Sequence, residues 1–103
     1  VSGGNTVFVD VTAEWCLTCK LNERVAIDTP SVRRRLSAAG VVAMRADWTR
    51  PSGEIERYLH GFGRYGIPFN AVYGPALPEG RALPELLTPD EVAAALDQSR
   101  KGG

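Results

Sequence analysis

Apolar residues in this chain come in short blocks separated by turn-forming residues, and the period within the blocks alternates between strand-like and helix-like. Val7-Phe8-Val9-Asp10-Val11 is β-branched and apolar apart from one acid, and predicts a strand. From Cys16 to about Ile27 the pattern turns helical, with Leu21 and Val25 at i, i+4 spacing. Thr29-Pro30 predicts a second helix start, because proline suits the first helical position. Val32, Leu36 and Ala39 give that helix an apolar face, and Gly40 suits its stop. Val41 to Asp47 predicts a second strand. Arg50-Pro51-Ser52 then opens a helix with Glu54 in its first turn, where an acid meets the positive end of the dipole. Its stripe is Ile55, Leu59 and Phe62, with Tyr58 and Tyr65 beside it, and Phe62 and Tyr65 are expected in the core. Gly66-Ile67-Pro68 ends it, and Phe69 to Tyr73 predicts a third strand. Gly74-Pro75 and Pro78-Glu79-Gly80 are turn signals. A short edge strand is expected around Arg81-Ala82-Leu83, its pairing limited by Pro84. Thr88-Pro89-Asp90-Glu91 is a capping box that opens a last helix carrying Val92 and Leu96.

The resulting order, β-α-α-β-α-β-β-α, constrains the fold. A strand followed by helices and another strand implies a right-handed parallel crossover. The third and fourth strands are close in sequence and should be antiparallel. The fold class is therefore α/β, a central mixed sheet flanked by helices on both faces. With 103 residues, the chain supports one domain, 1–103. Its ordered core is expected over about 7–98, because the polar, Gly-rich stretches 1–6 and 100–103 suit loose ends.

Charge and composition remove several function classes. Twelve basic and twelve acidic residues cancel, so no electrostatic footprint for nucleic acid is present. Zero net charge and small size suit a monomer. Arg33-Arg34-Arg35 reads as one solvated helix face and His60 as a surface helix residue. No apolar run approaches the roughly 18 residues of a membrane span, and no signal-peptide pattern is present. The only methionine is Met44, which reads as a mature form or a domain excised from a larger protein.

The candidate chemistry lies in Trp15-Cys16-Leu17-Thr18-Cys19-Lys20, where a strand meets a helix. Two cysteines so close in sequence close too small a loop to stabilise a fold. A cysteine at a helix N-terminus, however, faces unsatisfied N–H groups that favour its reactive thiolate. A second cysteine at i+3 lies one turn along on the same side and can attack a mixed disulfide at the first. Glu23 lies four residues after Cys19, and Asp10 lies six before Cys16 on the adjoining strand. An acid buried beside a thiol pair can exchange a proton with it, and both burial and a thiolate would raise its pKa. Ile67-Pro68 precedes the third strand, and a cis peptide there would leave Ile67 backbone groups near the cysteines free to pair with an extended substrate.

Asp10-Val11-Thr12-Ala13-Glu14-Trp15-Cys16-Leu17-Thr18-Cys19-Lys20 resembles the active-site strand and helix of thioredoxins, and Gly66-Ile67-Pro68 resembles their cis-proline loop. The resemblance runs from Val7 to about Gln98. Within that superfamily the chain looks most like the C-terminal periplasmic domain of the DsbD/ScsB group of transmembrane thiol-disulfide reductases. Leu17-Thr18 replaces the Gly-Pro of ordinary thioredoxins. Cys19-Lys20-Leu21-Asn22-Glu23, Ala46-Asp47-Trp48-Thr49-Arg50 and Leu83-Pro84-Glu85-Leu86-Leu87-Thr88 are also similar to that group. It departs from thioredoxins in an N-terminal β-α unit that is missing or cut to Val1–Thr6, and in a Pro-rich stretch between Gly74 and Thr88.

The resemblance implies a protein-disulfide reductase with Cys16 as nucleophile and Cys19 as resolving thiol. Asp10 and Glu23 match the group's acid pair, and Trp15, Ile67 and Pro68 would contact substrate. No cofactor beyond the Cys16–Cys19 disulfide and no metal are implied. The electron donor would be a transmembrane domain of the same protein, the acceptors periplasmic disulfide proteins, and the location the periplasmic side of the inner membrane. Two readings compete. The CxxC pair could be half of a Zn or Cu(I) site, for which only His60 offers a further soft ligand. The domain could also be a non-catalytic thioredoxin-like binding module.

Overall fold

A computed structural model describes residues 5–100. The chain runs β1 (Thr6–Thr12), α1 (Leu17–Asn22), a π-helical segment (Glu23–Ile27), α2 (Pro30–Leu36), β2 (Val41–Asp47), α3 (Gly53–Gly61), β3 (Phe69–Gly74), β4 (Leu77–Ala82) and α4 (Pro89–Arg100). The four strands form one sheet in the order β2-β1-β3-β4. β1 pairs in parallel with β2 from Thr6↔Val41 to Thr12↔Asp47. On its other edge β1 pairs antiparallel with β3 from Val7↔Tyr73 to Val11↔Phe69. β3 and β4 are antiparallel. The predicted mixed sheet and strand directions are those observed.

Alternation along β1 divides the interior into two cores. Phe8 and Val72 point to the face covered by the π-helical segment, α2 and α4, and pack with Ala26, Val32, Leu87, Val92, Ala95 and Leu96. Val11, Phe69 and Ala71 point to the other face and pack with Leu59 of α3. Helix starts are fixed by side-chain caps. Thr29 Oγ1 accepts the Val32 amide at 3.3 Å, Ser52 Oγ the Ile55 amide at 3.3 Å, and Thr88 Oγ1 the Glu91 amide at 3.2 Å.

Several expectations are corrected. The helix expected to run unbroken from Cys16 to Ile27 ends its α-helical part at Asn22 and continues as a π-helical turn, closed by the Asp28 amide on Glu23 O at 2.6 Å. Its buried residues are Cys19, Asn22 and Ala26, while Leu21 and Val25, whose spacing marked the helix, are each 52% exposed. Asn22 faces inward because its side chain ties the helix to the loop before α4, donating to Glu85 O at 2.7 Å and accepting from the Leu87 amide at 3.1 Å. Ala39 is exposed and lies beyond the end of α2. Tyr65 is 78% exposed and stacks on His60 rather than joining the core.

Pro78-Glu79-Gly80 is not a turn but part of β4, which starts at Leu77. Val72 pairs with Arg81 and Gly74 with Leu77, so three residues of β4 oppose Tyr73 alone. Turn chemistry is used for a bulge on an edge strand, where proline is tolerated and Gly80 takes φ +89°. The chain reverses one step earlier, at Pro75-Ala76.

The chain ends are also better anchored than composition suggested. Thr6 is buried in β1, and Ser99 is buried in the last turn of α4. Ser99 Oγ donates to Leu96 O at 2.7 Å, so Thr6 supplies the proton of the 3.0 Å hydroxyl pair that joins the two. The remaining loose-end expectations, for 1–4 and 101–103, lie outside the described residues.

α4 crosses the β3–β4 hairpin so closely that a Cβ on Gly74 would lie 2.6 Å from Ser99 O and 2.7 Å from Ser99 Cβ. The Ala76 amide also donates to Ser99 O at 3.0 Å. Gly74→Ala should therefore destabilise the domain by about 1–3 kcal/mol. Thermal unfolding should register this as a fall of about 4–8 °C per kcal/mol. An unchanged melting temperature would show that the end of α4 is not seated on the hairpin.

Candidate redox site

The site is assembled where β1 runs into α1. The Cys16 amide donates to Ala13 O at 3.1 Å, which turns the chain into the helix. Cys16 is then the N-cap of α1, with its Sγ accepting the Cys19 amide at 3.1 Å. Cys16 and Cys19 are joined by a disulfide, with their Cα atoms 5.3 Å apart. Both cysteines are buried, Cys16 6% exposed and Cys19 2%. Both pack with Ala13, and Ile67 covers them. The Ile67–Pro68 peptide bond is cis, and Pro68 is buried. The segment expected to lie near the cysteines thus does so through the Ile67 side chain.

The loop after β2 supports the Ala13–Trp15 turn from the other side. The Trp48 amide donates to Thr12 O at 2.7 Å, and the Glu14 amide donates to Thr49 Oγ1 at 2.9 Å. The Trp15 indole N–H donates to Thr49 O at 3.3 Å, which leaves its ring exposed at the rim and tilted against Trp48, 6.5 Å away. The Thr49 amide and hydroxyl both donate to Asp47 Oδ1, and these bonds hold the Asp47 carboxyl below its ordinary pKa. Lys20 Nζ donates to Glu14 O at 2.7 Å.

A second, polar group lies across three strands. In register, Arg45 of β2 and Asn70 of β3 flank Asp10 of β1. Asn70 Nδ2 donates to Asp10 Oδ1 at 2.9 Å, and Arg45 Nε lies 4.0 Å from Asp10 Oδ2. Arg45 Nη2 is bonded to Glu23 Oε1, so the arginine joins the two acids. Burial pushes the Asp10 carboxyl above its ordinary value of 3.8. The Asn70 hydrogen bond opposes this, Glu23 adds to it, and Arg45 opposes it. A cleft lined by Ala13, Glu14, Lys20, Glu23 and Arg45 connects the turn before the cysteines with this polar group.

Of the residues singled out in the sequence, Cys16, Cys19 and Ile67 form one cluster and Asp10 and Glu23 a second, with Trp15 at the exposed rim. Sequence reasoning missed Arg45, Thr49 and Asn70. Asn70 carried the same signal that marked Asp10, a polar side chain inside an apolar strand. Arg45 carried none, because only strand pairing brings it in, and Thr49 was marked only as part of the stretch 46–50 noted for its resemblance.

A mixed sheet with a Cys-x-x-Cys disulfide at a strand–helix junction, covered by the loop before β3, defines a thiol-disulfide oxidoreductase domain of the thioredoxin fold. The family model described as thioredoxin-like matches residues 2–75, and the chain belongs to that family. It is similar to the thiol:disulfide interchange protein DsbD of Cronobacter sakazakii, with 33% identity over 81 residues, or 76% of this chain and 14% of that protein. It is likewise similar to DsbD 1 of Pseudomonas aeruginosa, with 32% identity over 85 residues, 81% of this chain and 14% of that protein. The chain thus spans a small fraction of those relatives' length. Among solved structures it resembles the oxidised DsbD C-terminal domain of Neisseria meningitidis, with a TM-score of 0.72, 22% identity, and coverage of 93% of this chain and 81% of that one. It also resembles a thioredoxin from Thermus thermophilus, with a TM-score of 0.68, 24% identity, and coverage of 96% and 77%. Both structural likenesses are likenesses of fold.

The raised pKa of Asp10 means that the folded state holds this proton more tightly than the unfolded chain does. Its ionised form therefore lowers stability at neutral pH, and that loss fades as pH falls through the folded value towards the unfolded one. Asp10→Asn should melt above the wild type near neutral pH, and the gap should close as pH is lowered to about 4. Melting curves across pH check this. A gap that does not change with pH would mean that the charge of Asp10 is not what burial opposes.

Proposed function

We propose that the domain is a protein-disulfide reductase that passes electrons by dithiol–disulfide exchange from a membrane domain to periplasmic partner proteins. The observation that carries this reading is the Cys16–Cys19 disulfide at the N-terminus of α1, with Cys16 Sγ held by the Cys19 amide. Similarity to the DsbD proteins, which are thiol:disulfide interchange proteins, supports the exchange chemistry. In the forward step, the Cys16 thiolate attacks one sulfur of a partner disulfide. That bond breaks, a Cys16–partner bond forms, and the departing partner sulfur takes a proton. Cys19 gives its proton to Asp10 and attacks Cys16 Sγ. The Cys16–Cys19 bond closes, and the second partner thiol leaves and is protonated. Two electrons have then passed to the partner, and a dithiol of the transmembrane domain of the same protein restores the pair by the reverse exchange.

Glu23 acts on Asp10 through Arg45, which it shares. Trp15 and Ile67 form the contact surface for the partner's extended segment, and the buried Pro68, after a cis bond, sets the backbone beside them. Two acids near the pair disfavour a very stable Cys16 thiolate, and so disfavour a strongly oxidising disulfide.

Equilibration with glutathione or dithiothreitol tests the direction. The Cys16–Cys19 potential should lie near the thioredoxin end, about −270 mV, rather than the strong-oxidant end, about −120 mV. Cys19→Ala should accumulate a mixed disulfide at Cys16. An oxidising potential would reverse the electron flow, and no mixed disulfide at all would overturn the exchange chemistry.

A further inference from the structure

Asn70 is a carboxamide in a place that packing alone would fill with an apolar side chain. It is 1% exposed, and its neighbours Phe69, Ala71 and Val72 on β3 are apolar and buried. An amide buried there must find partners to offset its desolvation. Its side chain meets Asp10, its register partner on β1, with Nδ2 donating to Oδ1 at 2.9 Å. Its backbone is fixed as well, since the Leu83 amide donates to Asn70 O at 2.9 Å. The amide is therefore presented to the carboxylate from a rigid element.

The other oxygen of Asp10 has a different environment. Oδ2 lies 4.0 Å from Arg45 Nε, a long contact, and Arg45 commits Nη2 to Glu23. The charged groups acting on Asp10 are thus Glu23 from the π-helical segment and Arg45 from β2. β3 contributes the neutral Asn70, and the α2 and α4 side contributes the apolar cluster around Phe8.

We propose that Asn70 is a positioning residue for the dithiol chemistry: its amide holds Oδ1 of Asp10 and keeps that carboxyl ionised and ready to take the Cys19 proton. The inference rests on Asp10 being the proton acceptor of the exchange. An N–H donor favours the ionised carboxylate, whereas burial and Glu23 favour the protonated one. Without the donor, Asp10 would hold its proton further up the pH scale and would be filled when Cys19 needs it.

The test uses the intact domain and oxidised glutathione as the disulfide. In Asn70→Leu, the Asp10 carboxyl midpoint, followed by carbon NMR, should rise by about one unit, a tenfold change in proton affinity. The pH midpoint for release of glutathione from Cys16 should move up with it. In an Asp10→Asn background, Asn70→Leu should move neither profile nor rate, because its effect passes through the carboxylate. A purely structural role would persist in that background. Should the leucine variant not fold, the wild-type Asn70 side-chain amide resonances must titrate with the Asp10 midpoint. An unmoved Asp10 midpoint, or amide resonances that ignore it, overturns the inference and leaves the exchange reading standing. If Asp10→Asn itself leaves the exchange profile unchanged, the acceptor role falls and takes the inference with it.

Discussion

Hydrogen bonding of β1 on both edges is the constraint on which the rest of this structure depends. From Thr6 to Thr12 it follows β2 in parallel, and from Val7 to Val11 it runs against β3. A central strand has no freedom to slip, because a shift of one residue would exchange its two faces. Phe8 would leave the α2–α4 core, and Val9 and Val11 would enter it. The same register sets Asp10 between Arg45 and Asn70. The same strand end delivers Ala13 and the cysteines to their place. Site and core are therefore fixed by one set of backbone bonds.

A balance of opposed effects follows from that placement. Putting a carboxyl inside a sheet favours its neutral form, and the neighbouring Glu23 adds to this. Asn70 and Arg45 work the other way. The site thus contains an acid whose proton affinity is set by named neighbours on three different elements. In the proposed exchange a group of that kind would take up the proton that moves when a thiol becomes part of a disulfide. The cysteine cluster itself is apolar, made of Ala13, Cys16, Cys19 and Ile67.

Support for the site comes from segments with little regular structure. Thr49 accepts from the Glu14 amide and binds the Trp15 indole through its carbonyl, so the loop after β2 fixes the turn that precedes Cys16. Asn22 ties the other end of α1 to Glu85 and Leu87. The active-site helix is consequently held at both ends by hydrogen bonds to loops. Its outward side, with Leu17 and Leu21, remains exposed, as does Val25 of the π-helical segment.

The sequence alone determined the order of elements, the strand directions, the two-sided sheet and the Cys16–Cys19 pair at a strand–helix junction. These follow from local pattern, from the handedness of crossovers and from a motif of adjacent residues. Asp10 was legible because an acid in Val7–Val11 is conspicuous, and Asn70 could have been read by the same rule. Where the pattern misled, tertiary packing overrode local signals. Leu21 and Val25 carried the helical spacing, but Asn22 took the buried position once it had partners in a distant loop. Pro78-Glu79-Gly80 carried turn chemistry, but pairing with β3 drew it into a bulged strand. Arg45 was silent in the sequence, since its partner Glu23 lies 22 positions away, and so was the reach of Thr49 to Glu14, 35 positions away. Local composition sets what a segment can form. Only closing the sheet decides which side chains meet across it, because the free energy of those meetings exists only when distant strands are already paired.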